Sequence, residues 1–320
     1  MNISAIIPAY NAAPFLRRAV ESLLKTDFPD LEIIVVDDGS TDSTWKIACA
    51  LRDQNPGKVA VYRHADEGNH GVSESRNLGI LKSSGELICF LDADDYVLPR
   101  RFKTSVPLLS SDVQIDGVYE LSRVEMEEKG GSDGIWRDGG AFGIQENVEP
   151  RELLRNLLRG QTWAISAILF RRSLLNQAGL FRTDLKIAED CNLWFRMVCA
   201  GRIVAGDLRN PVSVYCRHSK NAYRYEPCRK LDMIRAMVDA YLWVRKEPNC
   251  RCMQELFLHG VRDYIQNAII TAREMGDHKL GWDILKLLLR ERGVRFCFNQ
   301  AILKQVVALA QESIATSSAN

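Results

Sequence analysis

Short, continuous apolar runs alternate with stretches of helical periodicity from the start of the chain. Ile3-Ser4-Ala5-Ile6-Ile7 leads into Pro8-Ala9-Tyr10-Asn11. Phe15, Leu16, Ala19, Val20, Leu23 and Leu24 then recur at the spacing of one apolar helix face. Asn11 is placed to cap that helix, with Pro14 in its first turn. Glu32-Ile33-Ile34-Val35-Val36 reads as a second strand. It ends in Asp37-Asp38-Gly39-Ser40-Thr41-Asp42, and a helix follows through Trp45, Ala48 and Leu51. Val59-Ala60-Val61-Tyr62 is a third strand, followed by a loop from Gly68 to Ser73 and a helix from Glu74 to Leu81. Leu87-Ile88-Cys89-Phe90-Leu91 is the fourth strand. Apolar strands separated by helices predict an α/β fold whose mostly parallel sheet is buried on both faces.

The middle of the chain is less regular. Asp116 to Met126 reads as one strand, and Glu127 to Gly134 with Arg137 to Gly140 as a polar, glycine-rich hairpin or mobile loop, an exposed insertion ahead of a substrate contact. Helix is predicted from Pro150 to Leu158 and from Glu189 to Cys199, and strand from Ile165 to Phe170 and from Val212 to Arg217. Beyond Pro227 the pattern is helical: Leu231 to Val244, Met253 to Ala272, Leu280 to Leu289 and Ile302 to Ala310. Ser313 to Asn320 reads as a disordered tail.

The tetrad Asp92-Ala93-Asp94-Asp95 follows the fourth apolar run directly. Carboxylates at the tip of a buried strand are costly without a cationic counterpart. Alternation sends Asp92 and Asp94 to one side, where a hard divalent cation relieves their repulsion. Asp95 alone also suits a helix N-cap before Pro99. In parallel sheets, ligands bind in the crevice beyond the carboxyl ends of the strands. Tyr10, Asp37, Asp38, Asn69, Arg76, Asn77, Asp92 and Asp94 are all predicted near that edge, around a nucleotide-sized crevice.

Six segments in order resemble the motifs of family 2 glycosyltransferases of the GT-A fold. They are Pro8-Ala9-Tyr10-Asn11, Val36 to Asp42, Ser73 to Gly79, Asp92-Ala93-Asp94-Asp95, Ala188-Glu189-Asp190 with Asn192-Leu193-Trp194-Phe195, and Tyr215-Cys216-Arg217-His218. Each is short and common alone; six in sequence are specific. The resemblance implies a GT-A (Rossmann-like) catalytic domain over residues 1–220. Residues 221–320 would then form a C-terminal helical region for acceptor, membrane-surface or oligomer contacts.

The resemblance also implies a nucleotide-sugar site made of Pro8, Tyr10, Asn11, Asp37, Asp38, Asn69, Arg76, Asp92, Ala93 and Asp94. Tyr10 either stacks on the base or packs at the strand end. Asp37, ahead of Asp38, accepts from a base imide N–H, which favours UDP or dTDP carriers over an adenine edge. Arg76 either pairs with Asp37 or reaches the nucleotide. Asp94, with Asp92 and His218, would hold Mn2+ or Mg2+, and the imidazole suits manganese better. Asp190 would take the proton from an acceptor hydroxyl, with Glu189 in support, in a single inverting displacement. No Gln-x-x-Arg-Trp follows Asp190, which points away from processive polymer synthesis.

Composition narrows the alternatives. Lys plus Arg number 42 against 41 Asp plus Glu, so no nucleic-acid partner is expected. Nine cysteines without a paired framework suggest a reducing compartment. The first strand is predicted at the start of the sequence, so no signal peptide is expected, and no apolar run reaches the ~20 residues of a membrane span. The expected location is cytoplasmic, or peripheral to the inner face of a membrane. Residues 277–305 mix six Lys or Arg and three Asp or Glu with Leu280, Trp282, Ile284, Leu285 and Leu287 to Leu289. That stretch reads as a packed or dimer-forming helix ahead of a membrane-surface one. The expected partners are a nucleotide-sugar donor and a glycan, lipid-linked or other hydroxyl acceptor. A nucleotidyltransferase or a Rossmann dehydrogenase would need a glycine-rich loop where Pro8-Ala9-Tyr10-Asn11 stands. A non-catalytic sugar-nucleotide-binding protein would tolerate loss of the carboxylates, and all are present.

Overall fold

The computed structural model of the chain describes residues 1–127, 129, 132, 136–218, 228–290 and 300–317. Strand β1 (Ile3–Ala9), helix α1 (Leu16–Leu24), β2 (Leu31–Asp37), α2 (Thr44–Gln54), β3 (Val59–Arg63), α3 (Val72–Lys82) and β4 (Leu87–Phe90) follow in the predicted order. Next come β5 (Tyr96–Val97), α4 (Ser105–Ser111), β6 (Gly117–Tyr119), β7 (Ser122–Met126), β8 (Ala141–Phe142), α5 (Pro150–Leu158), β9 (Ile168–Arg171) and α6 (Arg172–Ala178). Helix α7 (Glu189–Ala200), β10 (Ile203–Ala205) and β11 (Ser213–Arg217) precede α8 (Cys228–Lys246), α9 (Arg251–Glu274), α10 (His278–Arg290) and α11 (Gln300–Ser317). The elements sort into two compact units. One comprises Met1–Pro150, Gln161–Asp184 and Ala200–Tyr223; the other comprises Arg151–Gly160, Leu185–Cys199 and Arg224–Asn320.

In the first unit a seven-stranded sheet runs in the order β10-β6-β9-β4-β1-β2-β3. It is parallel except for β9, which is antiparallel to both β4 and β6. Alternation along the strands explains its two covered faces. Ile3, Ala5, Ile7, Ile33, Val35, Leu87 and Cys89 share a core with Leu16, Ala19, Val20 and Leu23 of α1 and with Ala48 and Leu51 of α2. Each Ile, Val or Leu among them contributes about 1.5–3 kcal/mol on burial. The opposite face meets α3 at Gly79, where a Cβ would lie 2.3 Å from Ile6 Cγ2, so only glycine lets that helix seat. A smaller sheet runs β5-β11-β7-β8.

The second unit is helical. Helix α9 buries Met253, Phe257, Val261, Ile265, Ala268, Ile269 and Ala272 along one stripe. Gly281 of α10 leaves room for Leu309 of α11, whose Cδ2 would be 2.6 Å from a Cβ there.

Three expectations change. The single strand Asp116 to Met126 is two strands, β6 in the large sheet and β7 in the small one. The chain crosses between them at Glu120, whose buried carboxylate pairs with Arg101 at 3.2 Å. Ile165 to Phe170 opens with a 3-10 turn, closed by the Ala167 N–H donating to Ala164 O, and becomes strand only at Ile168. The tail read as disordered from Ser313 is helical to Ser317, because α11 is anchored by the buried Ile302 and Leu309. Residues 318–320 lie outside the described residues, as do 291–299 of the basic stretch and parts of the glycine-rich segment. Of what is described there, Ser132 forms an antiparallel bridge with Arg137 and Trp136 lies against Phe142 at 4.4 Å.

Candidate active site

The crevice begins where β1 and β4 part. Leu91 N–H donates to Ile6 O at 3.0 Å, and Ile6 is the last residue of β1 paired with β4. The next β1 residue facing β4 is Pro8, which has no N–H to offer, so the ladder stops. On the other side β1 keeps its partner, with Asp38 N–H donating to Ala9 O at 2.8 Å. Pro8 is therefore buried strand, and its contribution is to release the acidic turn after β4. Tyr10 stands 52% exposed just beyond.

Asn11 does not cap α1, whose N-cap position is Phe15 with no side-chain cap. It adopts φ 48° and binds the next loop instead. Its N–H donates to Ser40 Oγ at 3.0 Å, and its Oδ1 accepts from Thr41 N–H at 2.9 Å. Asn tolerates this left-handed geometry better than most residues. The loops after β1 and β2 are thus joined. Gly39 (φ 70°) joins a third, since a Cβ there would lie 2.6 Å from the carbonyl carbon of Gly68.

The two aspartates ending β2 have different tasks. Both oxygens of Asp38 are occupied by the loop before α3: Oδ1 accepts from His70 N–H at 2.8 Å and Oδ2 from Gly71 N–H at 2.9 Å. His64 Nε2 lies 3.4 Å from Asp38 as well. Asn69 Nδ2 donates to Asp38 O at 3.0 Å, which fixes that side chain too. Asp37 Oδ2 pairs with Arg63 Nε at 2.8 Å, whereas its Oδ1 is buried without a hydrogen-bond partner among the described residues. An unmatched buried acceptor costs about 1–3 kcal/mol. Arg63 lies beneath the Trp45 ring, 3.9 Å from its centroid. Asp37 and Arg63 are register partners in β2 and β3, a signal available from strand alignment that motif reading overlooked.

Beyond β4, Asp92 Oδ1 pairs with Arg76 at 2.8 Å, where pairing with Asp37 was one expectation. Arg76 is buried on α3, 5.3 Å from the Phe181 ring centroid. Asn77 has a structural role: its amide exchanges two hydrogen bonds with the Phe181 backbone, at 2.9 and 3.0 Å. Ala93 is buried within the turn. Asp94 Oδ2 meets His218 Nε2 at 3.1 Å, and the His218 ring stacks on Phe15 at 4.8 Å. Arg18 donates to the Asp94 carbonyl at 2.6 Å. Burial, and then the charge of Asp92, push the Asp94 carboxyl above its ordinary range. Asp95 is pushed up further by complete burial and then by Asp94 and Asp92.

That excess of confined negative charge is what a divalent cation neutralises, and carboxylate plus imidazole is a transition-metal donor set. Asp92, Asp94 and His218 therefore fit the expected ion chemically. Among the described residues, no three or more His, Cys, Asp or Glu side chains are already gathered as a metal cage.

Glu189 and Asp190 open helix α7 in the second unit. The turn is held tightly. Ala188 takes φ 62°, and Asp190 Oδ1 accepts from the Cys191 N–H at 2.7 Å. One turn on, Asn192 Nδ2 donates to Ala236 O and to Asp239 of α8, fixing α7 within its own unit.

These acidic groups lie at the carboxyl edge of a mostly parallel sheet, where ligands bind in α/β folds. Residues 4–154 match the model of glycosyl transferase family 2, and through this region the chain is similar to that family. An uncharacterized glycosyltransferase of Rickettsia felis is 31% identical over 203 residues, covering 61% of this chain and 31% of that one. A Rickettsia typhi counterpart is 31% identical over 201 residues, covering 61% and 58%. The chain thus spans less than two thirds of these relatives' length. The fold is that of S. aureus TarS residues 1–349, with TM-score 0.67, 18% identity and coverage of 99% of this chain and 92% of that one. TarS has also been solved with UDP-GlcNAc, and that structure matches with TM-score 0.66 at 21% identity over 97% of this chain and 84% of that one. A Pyrobaculum calidifontis mannosyltransferase in complex with GDP-Man and Mn2+ matches with TM-score 0.53 at 17% identity, covering 98% and 87%. The expected GT-A architecture is therefore met.

Proposed function

We propose that this chain is a non-processive, inverting glycosyltransferase that moves a sugar from a UDP or dTDP carrier to an acceptor hydroxyl, assisted by a divalent cation. The observation that carries this reading is the placement of Asp37 at the end of β2 and of Asp92 and Asp94 after β4, along one edge of the sheet, each countered by a cationic or ionisable partner: Arg63, Arg76 and His218. The unmatched Oδ1 of Asp37 supports its role as acceptor for a base imide N–H, while Asp38 is committed to loop structure. Exposed Tyr10 is left to lie against the base or ribose. Asp94 and His218, with Asp92, would hold Mn2+ or Mg2+, which neutralises charge growing on the diphosphate leaving group. Binding of UDP-GlcNAc by TarS and of GDP-Man with Mn2+ by the mannosyltransferase supports a nucleotide-sugar donor here. Asp190 is assigned as the base toward the acceptor, with Glu189 in support.

Thermal shift against UDP-, dTDP- and GDP-sugars, with and without Mn2+, tests the donor assignment. A ligand at a hundred times its Kd stabilises by about 2.7 kcal/mol, enough to raise the midpoint by several degrees. UDP- or dTDP-sugars should give the largest rise, and only with the ion. A rise confined to GDP-sugars would overturn the role given to Asp37.

We assign the C-terminal helices to packing or subunit contact in preference to a membrane surface. Leu280, Ile284, Leu285, Leu287 and Leu288 of α10 are buried, leaving Trp282 as the exposed large apolar residue of that helix among the described side chains. No described helix is long and apolar enough to cross a membrane. Co-sedimentation with anionic vesicles should therefore show no binding at low or high salt, and salt-sensitive binding would reverse the assignment.

A further inference from the structure

The last carboxylate of the acidic turn has no task in the reading above. Asp95 is 1% exposed, and its Oδ1 accepts the Cys216 N–H at 2.8 Å. Its Oδ2 is buried without a hydrogen-bond partner among the described residues. Burying a carboxyl with an unmatched oxygen is unfavourable, and an apolar residue at this position would avoid the cost. Such an exception calls for a reason beyond stability.

The reason lies in what Cys216 carries. It belongs to β11, a strand of the smaller sheet, and His218 follows two residues later. The turn holding Asp92 and Asp94 grows from the large sheet. The turn runs on into β5, whose ladder with β11 pairs Val97 with Ser213 and Tyr96 with Val214 and ends there, two residues short of Cys216; beyond it His218 Nε2 still meets Asp94 Oδ2 at 3.1 Å. The Asp95–Cys216 bond is a direct tie between the two, one residue from Asp94 and two from His218. Arg18 of α1 reinforces it, donating both to the Asp94 carbonyl (2.6 Å) and to Cys216 Sγ (3.2 Å). Phe15, just before α1, backs the His218 ring.

We propose that Asp95 is a positioning residue: it pins β11 to the acidic turn so that His218 is set against Asp94 and Phe15 in advance of any ligand. This rests on the reading of Asp94 and His218 as the cation-binding pair. Partners that orient a metal ligand change metal affinity by about 10–100-fold when removed.

The test uses the full chain without ligand. In the parent protein, nuclear magnetic resonance should show ring-to-ring Overhauser contact between Phe15 and His218. The Cys216 amide should exchange with solvent on the order of a hundredfold or more slower than an open-chain amide. Asp95→Ala should lose the ring contact and speed that exchange. Asp95→Asn, whose side-chain oxygen still accepts the Cys216 N–H, should restore both. Mn2+ binding, followed by paramagnetic resonance of the free ion, should weaken about tenfold in Asp95→Ala and recover in Asp95→Asn. Ring contact surviving in Asp95→Ala, or lost in Asp95→Asn, overturns the proposal. If Asp95→Ala does not fold, the Asp95→Asn spectrum and parent exchange rate decide it. If the parent binds no Mn2+, the cation reading fails while the ring contact still reports on Asp95.

Discussion

Asp94→Ala is expected to lower sugar transfer by on the order of a thousandfold or more, about 4 kcal/mol of transition-state stabilisation, without unfolding the protein. The charge that must be neutralised is the diphosphate departing from the sugar. Asp94 is the carboxylate facing His218, while Asp92 is already occupied by Arg76. Stability should move the other way. The folded-state pKa of Asp94 is raised above its ordinary 3.8, mainly by burial and then by Asp92, so ionising it opposes the folded state. Its favourable contribution is fully present below pH 3.8 and is lost as pH rises through the raised value. At neutral pH the alanine variant, free of that buried charge, should melt no lower than the parent. Below pH 3.8 this electrostatic advantage should vanish. Transfer rate beside thermal midpoint at both pH values checks the prediction. Chelator-resistant transfer by the parent would remove the metal-assisted step. A variant that melts far below the parent would make Asp94 structural.

The first half of the large sheet was legible because its strands are buried on both faces. Ile3 to Ile7, Ile33 to Val36 and Leu87 to Phe90 are continuous apolar runs for that reason, and the helices between them repeat at helical spacing. The acidic edge was legible because carboxylates directly after such runs have few explanations. What escaped was pairing. Glu120 interrupts a run that looked like one strand, and its ion pair with Arg101 together with the Asp207 N–H explains a buried carboxylate at the crossing between sheets. Pairing of Arg76 with an aspartate was legible but not which one: helix α3 delivers it to Asp92 in place of Asp37. Asn11 looked like a helix cap because composition does not reveal a positive φ, and the tie it makes is to Ser40 and Thr41. Phe15, Arg18 and Arg63 carry no motif of their own. Their importance comes from what tertiary structure places beside them: the His218 ring, the Asp94 carbonyl and the Asp37 carboxylate. Side-chain partners far apart in sequence are set by topology, which residue patterning fixes only in part.

Asp190→Asn is expected to lower transfer by a factor on the order of 10² to 10⁴, the usual contribution of a positioned base, while donor affinity stays close to the parent's. Asparagine keeps the shape of the side chain and an oxygen able to accept the Cys191 N–H, so the tight opening turn of α7 should persist. What is lost is the ability to take a proton. Donor binding is assigned to Tyr10, Asp37 and the cation-holding groups, all in the other unit, so calorimetry with the donor should register little change. Glu189→Gln should have a smaller effect. Glu189 is largely buried beside the strained Ala188, so its side chain is better suited to shaping the start of the helix than to meeting an acceptor. The two variants separate the roles when donor affinity and transfer rate are measured side by side. Near-parental transfer by Asp190→Asn would move the base to Glu189 or elsewhere. Loss of donor binding with Asp190→Asn would instead make this residue a structural one. A pH–rate profile adds an independent check: the parent's rate should rise as the base deprotonates, and Asp190→Asn should lose that ascending limb.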